Sequence, residues 1–193
     1  YGGTALALRL GHRQSIDFDF FSSASLDRTG LAAAIPFVAA AEVLQSEPDT
    51  LVVRIDRGGP VTVSFFGSLS FGQLAAPDLV ADGIKIASPA DLMATKLKAV
   101  VQRSESKDYI DIAALIKGGA SLAEGLGGAV ALFGPHFNAA LPLKALTYFA
   151  DGDLGTVPAE ARQCLIEAVR ETQRIPERKR HARIIGSLAP EID

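Results

Sequence analysis

Two aspartates, Asp17 and Asp19, stand one residue apart inside the apolar run Ile16-Asp17-Phe18-Asp19-Phe20-Phe21. Residues two apart along a strand share a face, so both carboxylates point one way and Ile16, Phe18 and Phe20 point to the other, buried side. Two hard oxygen donors on a rigid strand can share one divalent cation, with phosphate oxygens completing its shell; that chemistry suits Mg²⁺ or Mn²⁺. Without a cation the two charges repel and are costly to desolvate. The competing reading is a solvent-exposed strand face with incidental acids.

Upstream, Gly2-Gly3 opens a short helical pattern, Thr4 to Leu10, that Gly11 ends. Free N–H groups at a helix start, with the positive end of its dipole, form a ready anion site, and glycine lets a phosphate approach the backbone closely. A diglycine alone is most often just a turn. Followed by a helix and a strand bearing Asp-x-Asp, it supplies a triphosphate cradle facing a metal site. His12, Arg13 and Ser15 lie on the connection between the two. Arg13 can touch a phosphate or pair with an acid. His12 reads as a loop hydrogen bonder, because no second His or Cys forms a metal set with it.

A lysine and an acid further along could join this chemistry. Ser88-Pro89-Ala90-Asp91 is a helix start, with a serine cap, proline in the first turn and an acid three residues after the cap. On the wheel of the 89–102 helix, Leu92, Met93, Leu97, Val100 and Val101 form the apolar face. Lys96 lies on the edge of that face and Lys98 well away from it. Lys96 therefore runs its stem along the core edge and places its ammonium in a cleft, where an acid or a phosphate must meet it. Arg103 follows on nearly the same edge. In the next helix, roughly 107–117, Tyr109, Ile112, Ala113 and Ile116 form the apolar stripe. Asp108 sits on the edge of that stripe and Asp111 points further out. Asp108 can pair with Lys96, complete a metal site or accept an acceptor hydroxyl's proton; an acid favoured by the helix dipole is the alternative.

The elements that must position these groups form a mixed α/β half followed by a helical half. Ile16 to Phe21 reads as a strand and Leu26 to Ala34 as a short helix. Phe37 to Gln45 is ambiguous, with a strand towards its end. Thr50 to Asp56 and Pro60 to Phe66 alternate and are joined by Arg57-Gly58-Gly59, a hairpin signal. Ile84 to Ala87 is a short strand. Beyond 117 the pattern predicts helices at 121–132, 139–149, 158–174 and 177–186. The expected domains are a 1–117 catalytic core and a 118–193 helical region packed on it. The diglycine stands at the start with nothing ahead of it to form a preceding strand, so a shortened N-terminal end of the fold is expected.

The chain has 193 residues, 48% hydrophobic and 21% charged, enough to bury a sizeable core. A net charge of -3 gives no whole-protein attraction to nucleic acid, so such binding needs a local basic patch. Arg174, Arg178, Lys179, Arg180 and Arg183 make one in the tail, readable as a solvated helix face or as an RNA or phosphate contact. The single cysteine, Cys164, excludes an internal disulfide framework, fits a reducing cytoplasm and reads as a packing residue. No apolar run approaches the roughly 20 residues of a membrane helix. His12, His136 and His181 have no ligand spacing to one another, which argues against metal-dependent phosphohydrolase chemistry.

The stretch Gly-Gly-Thr-Ala-Leu-Ala-Leu-Arg-Leu-Gly-His-Arg-Gln-Ser-Ile-Asp-Phe-Asp-Phe-Phe, from Gly2, resembles the first motif of the AbiEii/AbiGii toxin family, a branch of the nucleotidyltransferase superfamily. Ser88-Pro89-Ala90-Asp91-Leu92-Met93-Ala94-Thr95-Lys96-Leu97-Lys98-Ala99, then Arg103 and Lys107-Asp108-Tyr109-Ile110-Asp111, resembles its second block. These anchors span residues 2 to about 116; the later helices match only in being helical. The resemblance implies an α+β minimal nucleotidyltransferase fold, a small mixed sheet flanked by helices with a helical C-terminal region. It implies Mg²⁺- or Mn²⁺-dependent transfer of a nucleoside monophosphate from a nucleoside triphosphate to an acceptor, RNA such as tRNA or a protein. It further implies an antitoxin partner, no DNA and no membrane. Under it, Asp17 and Asp19 hold the metal. Gly2, Gly3, Thr4, Arg13, Ser15, Lys96 and Arg103 hold the nucleotide, and Asp108 activates or orients the acceptor. Many nucleotidyltransferases carry a third carboxylate on a neighbouring strand. Val61 to Phe66 has none, and Asp56 is a weak substitute. Asp108 supplying that charge, a single metal, or lost activity remain open. A non-catalytic interaction module binding an antitoxin-like protein is the second reading.

Overall fold

The computed structural model describes residues 1–80 and 83–190. The last three residues of the expected 118–193 region therefore lie outside it. Four strands make the main sheet, in the order β1-β4-β3-β2: β1 (Asp17–Phe21), β2 (Glu42–Glu47), β3 (Thr50–Asp56) and β4 (Pro60–Phe66). The β3–β4 hairpin turns as its glycines predict, with Gly58 at φ 79°. Asp56 Oδ1 accepts from the N–H groups of Gly58 and Gly59, at 3.0 and 2.9 Å. That occupation keeps Asp56 in the turn and out of any metal site. β1 pairs parallel to β4, which sets Asp17 beside Thr62 and Asp19 beside Ser64. A parallel pair needs a long crossover, and here it contains α2 (Arg28–Ala34), α3 (Pro36–Ala39), β2 and β3. A two-stranded ribbon, β5 (Asp78–Leu79) with β6 (Lys85–Ile86), stands apart.

One sheet face is closed by α2 and α3 over Val38, Leu51, Val53, Val63 and Phe65. α1 (Gly2–Leu10) packs on β1, and α4 (Pro89–Gln102) and α5 (Ser106–Lys117) pack on α1 and look towards the sheet across a cleft. The main core runs from Leu6 of α1 through Leu92 and Leu97 of α4 and Ile112 of α5. It continues into Leu126 of α6 (Leu122–Phe133), Leu146 beside α7 (Ala140–Ala145) and Leu165 of α8 (Ala159–Glu171). Ser88 caps α4 by accepting from the Asp91 N–H at 3.1 Å, a contact that typically contributes about 1 kcal/mol. No helix among the described residues is long and apolar enough to cross a membrane.

Several expectations are corrected. Ile16, Phe18 and Phe20 are not buried: they are 56%, 38% and 39% exposed, because α2 and α3 cover β3 and β4 and stop short of the edge strand β1. Val101 is 38% exposed, at the last turn of α4. In α5, Ile116 packs partly buried against the core, Leu115 is buried as well, and Asp111, expected further out, is fully buried. Residues 177–186 form an irregular strap, not a helix. Ala182 and Ile185 alone are buried there, too narrow a stripe to seat a helix, and the backbone of His181 and Ala182 bonds to Gln73 instead.

Candidate active site

The N-terminus of α1 lies against β1. Gly2, at φ 77°, leaves the space where a Cβ would run into the Asp19 carboxylate. A Cβ on Gly3 would run into the Arg13 guanidinium. Gly2 therefore demands glycine, whereas a side chain on Gly3 would displace the Arg13 guanidinium, and the start of α1 stands beside the Asp19 carboxylate. The Thr4 hydroxyl reaches Ser15 Oγ at 2.8 Å and also bonds the Asp17 carbonyl, which ties α1 to the start of β1.

A cleft of about 320 Å³ gathers Gly2, Gly3, Arg13, Ser15, Asp17, Asp19, Lys96 and Arg103, together with Thr62, Ser64, Phe66 and Lys107. Eight of the residues singled out in the sequence thus meet in one place. Thr4 and Asp108 do not line it: Thr4 braces Ser15 from behind, and Asp108 lies beneath the floor, wholly buried. Thr62, Ser64 and Phe66 were not singled out as site residues, although they follow from the register of β4 on β1, and Lys107 was marked only as part of the second block.

Beneath the cleft lies a charge network. Lys96 Nζ bridges Asp108 Oδ1 at 2.6 Å and Asp111 Oδ2 at 2.7 Å. Arg103 Nε and Nη2 donate to Asp108 at 2.7 and 3.2 Å. Arg13 Nε and Nη2 donate to Asp111 at 2.6 and 2.9 Å, and His12 Nε2 lies 2.7 Å from the same carboxylate. Asp111, expected to point outwards, is instead the hub of this network, because the cations that neutralise it arrive from α4 and from the α1–β1 connection. Burial alone would raise both carboxyls. For Asp108 the Arg103 and Lys96 contacts outweigh it, and for Asp111 Arg13, Lys96 and His12 do, so both are held below the usual carboxylate value. An acid so placed, with both oxygens engaged, is a poor proton acceptor; Asp108 positions Lys96 and Arg103.

The β1 carboxylates differ. Burial pushes the Asp19 carboxyl up, and the Asp17 charge adds to that, against Lys96 and the Ser64 hydroxyl. Asp17 is half-exposed, 3.6 Å from Lys107 Nζ. Among the described residues no group of three or more His, Cys, Asp and Glu side chains is disposed to hold a metal. A cation here would rest on Asp17 and Asp19, whose hard oxygens fit Mg²⁺ or Mn²⁺ better than a softer ion. Ser64, beside Asp19, offers a hydroxyl, and β4 adds no third acid.

A family model described as nucleotidyl transferase AbiEii toxin, type IV TA system, matches residues 1–190. Uncharacterized protein aq_aa25 of Aquifex aeolicus (strain VF5) is 35% identical over 114 residues, 58% of this chain and 53% of that protein. The chain thus spans about half the length of the curated relative it matches. No solved structure matches.

Proposed function

The chain belongs to the AbiEii nucleotidyl transferase toxin family, and from that membership and the charge layout of the cleft we propose that it transfers a nucleoside monophosphate from a nucleoside triphosphate to an RNA acceptor such as tRNA. The observation that carries this reading is the strand pair Asp17 and Asp19, facing a diglycine helix start and cationic side chains across one cleft. The acceptor oxygen attacks the α-phosphorus, the bond to the β-phosphate breaks, pyrophosphate leaves and the hydroxyl proton is lost to solvent. Asp17 and Asp19 would hold Mg²⁺ or Mn²⁺, which neutralises charge on the reacting phosphoryl group and the leaving pyrophosphate.

The rest is work for the protein's own groups. The N–H groups of Gly2 and Gly3 bind phosphate oxygens. Lys96 spends two of its three donors on Asp108 and Asp111 and keeps one for the triphosphate. Arg103 holds a fixed guanidinium at the same rim. Phe66 offers an apolar wall to a nucleobase. The type IV toxin–antitoxin family also makes an antitoxin the expected counterpart.

The test is transfer of label from each α-labelled nucleoside triphosphate to tRNA, with Mg²⁺ and with chelator. Label should appear only with metal, and Asp19→Ala should lower the rate by at least about 100-fold, as for loss of a group that stabilises transition-state charge. Undiminished transfer by Asp19→Ala would remove the proposal.

A further inference from the structure

Beyond α8 the chain leaves helical structure and crosses back over the molecule as a strap. It passes α6 at Gly127, where the Pro176 carbonyl takes the space a Cβ would need, and passes Gly72 where the Ala182 carbonyl does the same. Buried Gln73 then locks it. The Gln73 N–H donates to Ala182 O at 2.9 Å and its carbonyl accepts from His181 N at 2.7 Å. Its side chain donates to Ser187 O at 2.5 Å and accepts from Gly186 N at 2.7 Å. Lys85 Nζ adds a bond to Gly186 O at 2.5 Å. Backbone so fixed gives its side chains a permanent place.

Most of those side chains are lysine and arginine. Arg178, Lys179, Arg180, His181 and Arg183 line a groove of about 450 Å³, closed on one side by Ala131 of α6. Arg178 pairs with Glu124 at 2.9 Å, and Lys179 and Arg180 are exposed with no ion pair among the described residues. The chain as a whole is net negative, so this run is a local excess of positive charge on it. A held row of like charges repels itself, and a polyanion that releases counterions relieves that repulsion. An extended row without a helix to enter a duplex groove suits a single strand's backbone. The strap continues through Ile185 and Gly186, which line a cavity of about 420 Å³ whose wall also includes Asp19.

We propose that the strap Arg178 to Arg183 is the docking surface for the phosphodiester backbone of single-stranded RNA, holding the acceptor while its end reaches the β1 carboxylates. The acceptor role rests on the nucleotidyl-transfer reading; the binding itself does not.

The experiment is fluorescence anisotropy of a labelled unstructured oligoribonucleotide with the full chain, titrated between about 50 and 200 mM salt. The wild type and a Lys179→Glu/Arg180→Glu variant are compared, with Lys179→Gln/Arg180→Gln as a milder version. Both side chains are exposed, so the variants should keep the wild-type melting temperature. The charge reversal should weaken RNA binding at least about 10-fold. The neutral variant should flatten the slope of log affinity against log salt by about 1.4, two phosphates' worth for a single strand. Unchanged RNA affinity in the variants, or no RNA binding by the wild type, overturns the inference. So does binding to phosphatidylserine vesicles that disappears in the same variants. Strap-dependent RNA binding by a chain that transfers no nucleotide would instead sink the catalytic reading and leave this one standing.

Discussion

Two pairs of aspartates, one lining the cleft and one beneath its floor, behave in opposite ways. Asp108 and Asp111 on α5 are fully buried, yet Lys96, Arg13, Arg103 and His12 satisfy them so completely that both hold their protons more weakly than a free carboxyl. Asp17 and Asp19 on β1 are more exposed, yet Asp19 is pushed the other way by burial and by its neighbour. Burial pushes Asp19, Asp108 and Asp111 the same way; the supply of cations reverses it for the α5 pair alone. Five contacts from three chain segments go to the α5 pair. The β1 pair has Lys107 at a distance and the shared edge of Lys96. One pair is structure already balanced, and the other is a charge deficit that a bound cation would fill.

The sharpest way to break this contrast is Lys96→Met, which removes the cation between two dry carboxylates. Breaking a buried ion pair in this way should cost about 3–5 kcal/mol, read by urea unfolding. A loss below about 1 kcal/mol would mean that water already reaches the α5 acids. A smaller effect should come from pH. Asp108 and Asp111 have folded values below their unfolded ones, so their stabilisation is complete above the unfolded carboxylate value, about 3.9. It is lost as pH falls through the lower folded values. Urea unfolding across the acid range should show this loss in the wild type and a shallower one in Asp111→Asn; parallel curves would deny the coupling. The smallest stability effect belongs to Asp17→Asn. Its partner Lys107 is half-exposed, so stability should move by no more than about 1 kcal/mol while nucleotide transfer collapses. A larger shift would make the β1 pair structural too and erase the difference.

Much of this arrangement is legible in the chain. The Ser88-Pro89-Asp91 start defines α4 to its cap, and strand alternation puts Asp17 and Asp19 on one face. The wheel of α4 separates Lys96, buried in the network, from Lys98, which lies over the Phe133 ring at 4.2 Å. Asp111 was hidden because a wheel measures where apolar side chains gather. It does not register a polar edge neutralised by Arg13, 98 residues earlier. The exposure of Phe18 and Phe20 was hidden for a related reason: alternation says which residues share a face, not whether a helix arrives to cover it. The strap defeated helical periodicity because its partner is the backbone and side chain of one glutamine, Gln73, more than a hundred positions away.

That 98-residue span from Arg13 to Asp111 also sets a timetable during synthesis. Until the ribosome has delivered α5, Lys96 and Arg13 have no acids to fix them, and the diglycine and β1 face an unfinished wall. Contacts this distant close slowly. The pocket therefore cannot assemble on a half-made chain, and a nascent fragment ending before Asp108 carries the β1 carboxylates without the framework that aims cations at their ligand.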